Sequence, residues 1–81
     1  MLLLITNPVC PECDRFKAAL KREGIKYDEF VIGDPPRNEA SDVWGEAMKA
    51  GIMSFPIIGE MDGQRVVRVG RPHPKGSIQW L

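Results

Sequence analysis

Leu2-Leu3-Leu4-Ile5 is an uninterrupted apolar run closed by Thr6-Asn7-Pro8, the pattern of a central strand covered on both faces. Pro11 suits the first turn of a helix, where its missing N–H costs nothing. Phe16, Ala19 and Leu20 then share one helical face, and Gly24 supplies the stop. Between Ile25 and Ile32 the residues Tyr27, Phe30, Val31 and Ile32 are interleaved with charges, as in a half-covered strand. Gly33-Asp34-Pro35-Pro36 breaks the pattern. Asn38 is placed to cap a second helix, in which Ala40, Val43, Trp44, Ala47 and Met48 follow helical spacing up to Gly51. Pro56-Ile57-Ile58 and Arg65 to Val69 read as two short strands, joined by a hairpin that Asp62-Gly63 signals. The stretch from Arg71 to Leu81 opens with prolines and has room for only a short helix near Ile78, Trp80 and Leu81.

The resulting order, β-α-β-α-β-β with a short C-terminal helix, predicts an α/β fold. Its first two strands are parallel through a right-handed crossover and its last two form an antiparallel hairpin. This is a minimal thioredoxin-like arrangement on a mixed four-stranded sheet. With 81 residues, the chain is expected to form one domain over 1–81 with a small core and no space for a large internal cofactor.

Charge narrows the possible partners. Eleven basic and eleven acidic residues cancel, so no bulk attraction to nucleic acid or to an anionic membrane is expected. The Leu2–Ile5 run is much shorter than the ~18 apolar residues of a membrane span. A soluble, cytoplasmic monomer is the expectation.

Two cysteines can make at most one internal bridge, too few for a disulfide-stapled secreted scaffold. They stand as Cys10-Pro11-Glu12-Cys13 at the start of a helix that directly follows a strand, which is a redox signature in a cytosolic setting. Helix N-terminal N–H groups favour negative charge, so the Cys10 thiol should ionise more readily than a free cysteine. Cys13, one turn on, is placed to attack a mixed disulfide formed at Cys10. That makes Cys10 the nucleophile and Cys13 the resolving thiol. Glu12 and Asp14 oppose ionisation, and Arg15 and Lys17 can offset them. Two inert buried cysteines are the bland alternative. A structural zinc site needs four ligands, whereas His73 is the one further nitrogen or sulfur ligand of quality, so metal binding would require a bridged dimer.

Ile5-Thr6-Asn7-Pro8-Val9-Cys10-Pro11-Glu12-Cys13, followed by Ser54-Phe55-Pro56-Ile57-Ile58, resembles the glutaredoxin family, including its ribonucleotide-reductase-donor redoxin branch. The resemblance covers most of the chain and implies a small dithiol-disulfide oxidoreductase with no bound cofactor. Its redox group would be the Cys10–Cys13 disulfide. By the same resemblance Pro56 is cis and faces the cysteines, the Phe55 backbone pairs with an extended substrate, and Val9, Pro11, Glu12 and Ser54 border the substrate.

Three features depart from the family pattern. Asn7 stands where many members have a lysine for the glycine carboxylate of glutathione, and Glu12 replaces a frequent tyrosine. Val69-Gly70-Arg71-Pro72 lacks the Gly-Gly and downstream Asp that hold the glutamyl end. The Gly70-Arg71-Pro72 stretch instead resembles the ending of redoxins reduced by thioredoxin reductase, with Arg71 as a candidate contact. Glutathione and a thioredoxin-reductase-type partner are therefore the two electron sources to separate, and disulfide-containing proteins are the expected substrates. A different class of function is a non-catalytic adaptor that uses the Pro56 groove and keeps the cysteines as a redox-sensitive latch.

The remaining conspicuous residues have plain structural readings. His73 is a solvated loop histidine, Trp44 a core residue of the second helix, and Trp80 either covers the sheet or stays exposed. Arg37 is a solvated arginine by default, with a substrate carboxylate as its alternative partner, and Arg65 and Arg68 are edge-strand charges.

Overall fold

A computed structural model describes residues 1–73 and 77–81. The chain runs β1 (Leu2–Thr6), α1 (Pro11–Arg22), β2 (Tyr27–Val31), α2 (Asn38–Lys49), β3 (Ile57–Asp62), β4 (Arg65–Pro72) and β5 (Ile78–Trp80). The strands form one mixed sheet in the order β2-β1-β3-β4-β5. β1 pairs parallel with β2 and antiparallel with β3, and β3, β4 and β5 continue as an antiparallel meander. The fold is a small thioredoxin-like α/β fold, with one correction. The segment expected to form a C-terminal helix is a fifth strand, so the sheet has five strands rather than four.

Gly70 explains the difference. A Cβ at this position would lie 2.7 Å from the Gln79 carbonyl oxygen, 2.9 Å from the Trp80 ring and 3.0 Å from an Ile78 methyl. With hydrogen in that place β5 can close on β4, and Ile78 and Trp80 lie over the strand. Arg68 covers the Trp80 ring at 4.1 Å and pairs with Glu60. Trp80 therefore covers the sheet. β4, expected to end at Val69, continues to Pro72 because β5 gives it a partner.

Each face of the sheet carries its own core. Leu4 and Ile58 meet Phe16 and Leu20 of α1, and Leu2, Tyr27, Ile78 and Trp80 pack at the margin. On the other face Leu3, Ile5, Ile57 and Val69 meet Ala40, Val43 and Ala47 of α2, together with Ile52. The α2 stripe is narrower than its sequence pattern suggested. Trp44, expected in the core, is 37% exposed, and Met48 is exposed beside it. Each lies one residue, about 100° of helix, beyond the buried line of Val43 and Ala47.

Both helices stop in the same way. Gly24 and Gly51 adopt positive φ (71° and 82°), and the next residue donates back into the last turn, Ile25 N–H to Leu20 O and Ile52 N–H to Ala47 O, each at 2.9 Å. Ile25 is thereby spent on closing α1, and β2 begins at Tyr27 instead of Ile25. The cap of α2 is also shifted by one residue. Arg37 occupies the N-cap position without a side-chain cap bond, and Asn38 is the first helical residue.

Candidate functional site

β1 delivers the chain to the site. After Thr6, Asn7 Oδ1 accepts the Val9 N–H at 3.2 Å, turning the loop toward the helix start. Cys10 is the N-cap residue of α1, in extended conformation, and Pro11 is the first helical residue. The Cys10 sulfur accepts the Cys13 N–H at 3.1 Å, and the Cys10 carbonyl accepts the Asp14 N–H at 3.2 Å. A sulfur in this position stands at the positive end of the helix dipole, where negative charge is favoured.

Cys10 and Cys13 are bridged, with Cα atoms 5.2 Å apart. Their environments differ. Cys13 is 1% exposed, on the buried face of α1 with Phe16 and Leu20, whereas Cys10 is half-buried at the helix tip. Val9, Pro11 and Glu12 are exposed around them. Glu12 pairs with Arg15 at 3.3 Å and Asp14 with Lys17 at 3.8 Å, so the acidic groups nearest the cysteines are partly neutralised along the same helix.

The Pro56 segment lies at the same end of the sheet. β3 is antiparallel to β1 with Ile5 opposite Ile57, which brings Pro56 alongside Thr6, the last residue of β1. The Phe55–Pro56 bond is cis. Pro56 is buried, Phe55 half-buried and Ser54 exposed. Arg71 sits one residue beyond the Ile58–Gly70 pair of β3 and β4, opposite Gln79. It is therefore at the redox end but two strands away from β1, and exposed. His73, also exposed, donates its backbone N–H to the Ser77 carbonyl at 2.8 Å in the connection to β5.

A family model described as Glutaredoxin matches residues 2–66. The chain belongs to the glutaredoxin family. No curated protein and no solved structure matches it. The matched span takes in both the cysteine pair and the Pro56 segment, and stops within β4 before Gly70 and β5. Membership of the glutaredoxin family and the Cys10–Cys13 pair together support a thiol-disulfide redox role.

One element of this glutaredoxin was not singled out from sequence: a polar network behind α1. Glu29 of β2 faces the same side of the sheet as Leu4, its register partner. Its carboxylate accepts the Thr6 hydroxyl at 2.6 Å and the Lys17 ammonium at 3.0 Å. Burial pushes the Glu29 carboxyl up, but the Thr6 and Lys17 hydrogen bonds outweigh it and hold the group below its ordinary range. Lys17 is raised in turn, chiefly by its bond to Glu29. The network ties α1, one turn after Cys13, to the end of β1 and the middle of β2. The available signal was modest: a lysine four residues after Cys13 and a glutamate among the apolar positions of β2.

Arg37, expected to be solvated, instead forms internal ion pairs, with Asp28 at 2.7 Å and Glu39 at 3.8 Å. No cluster of three or more metal-ligating side chains occurs among the described residues, and no helix among them is long and apolar enough to cross a membrane.

Proposed function

We propose that this glutaredoxin is a dithiol-disulfide oxidoreductase that works as a monomer on protein disulfides. The Cys10 thiolate attacks a substrate disulfide, forming a Cys10–substrate bond and expelling one substrate thiolate. The Cys13 thiolate then attacks the Cys10 sulfur and expels the second. The substrate gains two electrons and the enzyme ends in the bridged state. The observation that carries this reading is the asymmetry of the pair: Cys10 is accessible at the helix tip, and Cys13 is 1% exposed one turn inside. The buried sulfur is shielded from a large substrate but within reach of a mixed disulfide on its neighbour.

Closing the cycle requires two electrons from an external donor. We assign that role to a thioredoxin-reductase-type dithiol partner in preference to glutathione. Three features support the choice. Asn7 presents a neutral amide already engaged with Val9, Glu12 adds negative charge beside the site, and Gly70-Arg71-Pro72 is held within a β-hairpin. A charge-assisted hydrogen bond contributes ~1.5–3 kcal/mol, so a neutral residue at position 7 weakens tripeptide binding by about tenfold or more.

Three measurements test the assignment. Alkylation of the reduced protein at neutral pH should label Cys10 before Cys13, and Cys13→Ser should accumulate a mixed disulfide with a model protein substrate while Cys10→Ser does not. Reduction of the oxidised protein should be faster with thioredoxin reductase and NADPH than with millimolar glutathione. Prior labelling of Cys13 would reverse the roles, and fast, saturable reduction by glutathione would reverse the choice of donor.

A further inference from the structure

On the α2 face, over the β2 side of the sheet, an apolar cleft of about 460 Å³ is lined by Ile5, Phe30, Ile32, Ala40 and Trp44. Its volume falls within the ~300–1,000 Å³ typical of ligand sites. It exists because α2 leaves the β2 margin partly uncovered, so that Trp44 and Ile32 remain 37% and 38% exposed.

The cleft belongs to the redox end of the sheet. Ile5 immediately precedes Thr6, and the Ile32 N–H donates to the Thr6 carbonyl at 2.8 Å. The Trp44 ring lies 5.8 Å from the ring of Phe55, the residue before Pro56. One wall is thus shared between the cleft and the Pro56 segment. Val9 and Met53, the chain neighbours of Cys10 and Ser54, are 87% and 88% exposed.

Charge selects the occupant. The guanidinium of Arg37 at the border is committed to Asp28 and Glu39, and Asp34 Oδ2 accepts the Val31 N–H at 2.9 Å. Both charged groups that border the cleft are satisfied, so an entering group gains by burying apolar area and not by pairing charge.

We propose that this cleft receives a bulky, uncharged side chain of the phenylalanine, leucine or tryptophan class, carried by the polypeptide whose disulfide Cys10 attacks. The proposal rests on the redox reading above and gives it a substrate class: protein disulfides flanked by a large apolar residue.

The test uses peptide disulfides that differ at one position, Phe against Ala, with that position moved from two to four residues away from the cysteine. At the best position the Phe peptide should show a kcat/KM at least about tenfold higher, in line with the discrimination an apolar pocket provides. Gly45→Phe crowds the cleft from a helical position whose Cβ has nothing within 4 Å; in that variant the Phe/Ala ratio should fall toward one. A second readout is independent of turnover. Binding of a Cys→Ser version of the Phe peptide to the oxidised protein should shift the NMR signals of the Trp44 indole and the Ile32 methyls, and the Ala version should not. Turnover with a ratio of one at every position and no such shift overturns the cleft and leaves the redox reading intact. Shifts without turnover of any peptide keep the cleft and overturn the redox reading.

Discussion

At the scale of single residues, Glu29 couples the redox helix to pH. Its carboxyl titrates below its ordinary value in the folded protein, so folding gains stability from it that is fully present above the unfolded value of ~4.3 and is lost as pH falls through the folded value. Asp28 is held down in the same direction, first by its hydrogen bond to Arg37. Lys17 has the opposite sign. Its raised pKa contributes stability below ~10.4, which is lost as pH rises through the folded value. Glu29→Gln should therefore lower stability near neutral pH and flatten the fall in stability as the pH drops below ~4.3. Urea midpoints for both proteins across that range measure it, and parallel profiles would show that Glu29 carries no such linkage. The same site shows why the network escaped a reading of the sequence. A glutamate in a half-covered strand looks like a solvated charge until the register places it beside Thr6 and beneath Lys17.

At the scale of elements, the two edges of the sheet are managed differently. The Ile32 N–H points to β1, so the N–H groups of Glu29 and Val31 point outward from β2. Asp28 Oδ1 takes the first and Asp34 Oδ2 the second, both at 2.9 Å, and the Asp34 N–H returns a bond to the Val31 carbonyl at 2.9 Å. Carboxylates thus close the edge that would otherwise template another strand. β5, at the opposite edge, is only three residues long, which limits the pairing it can offer. The double variant Asp28→Ala/Asp34→Ala should expose the β2 donors and self-associate, seen as a concentration-dependent rise in sedimentation coefficient. A variant that sediments unchanged would show that these caps are dispensable. Neither Asp28 nor Asp34 stands out as a cap in the sequence, because the capping depends on which N–H groups face away from β1.

At the scale of the molecule, Gly59 sets how closely the α2 layer approaches the sheet. A Cβ there would come within 2.5 Å of one Val43 methyl and 2.9 Å of the other. Overpacking of this kind costs ~1–3 kcal/mol, so Gly59→Ala should lower the unfolding free energy by about that amount in chemical denaturation. Val43→Ala in the same chain should recover part of the loss, and equal stability of Gly59→Ala and the parent would remove the constraint. Much of the layered plan is legible without coordinates. The Leu2–Ile5 run, the Phe16–Leu20 and Ala40–Ala47 stripes and the Asp62-Gly63 turn each state their element locally. β5 is not legible, since three residues carry no period and the prolines at 72 and 74 read as chain breaks. What forms it is the bare surface of Gly70 beneath Ile78 and Trp80, a long-range fit. The cysteine pair and Pro56 are visible as motifs. Trp44 as a cleft wall is not, because spacing alone cannot distinguish the middle of a helical stripe from its margin.

The placement of β1 has a consequence for the order in which the chain can mature. β1 emerges before both of its neighbours during synthesis, and it lies between β2 and β3. β2 arrives about two dozen residues later, and a parallel β1-α1-β2 unit carrying the redox cysteines can then form. The other side of β1 stays bare until Ile57 to Glu60 emerge. Over that interval Leu2 to Ile5 present an unpaired, wholly apolar edge, the kind of surface that chaperones retain and that aggregates when left unattended. A nascent chain that has cleared the ribosome only as far as the α2 segment would hold its dithiol already in place and its hydrophobic centre still open.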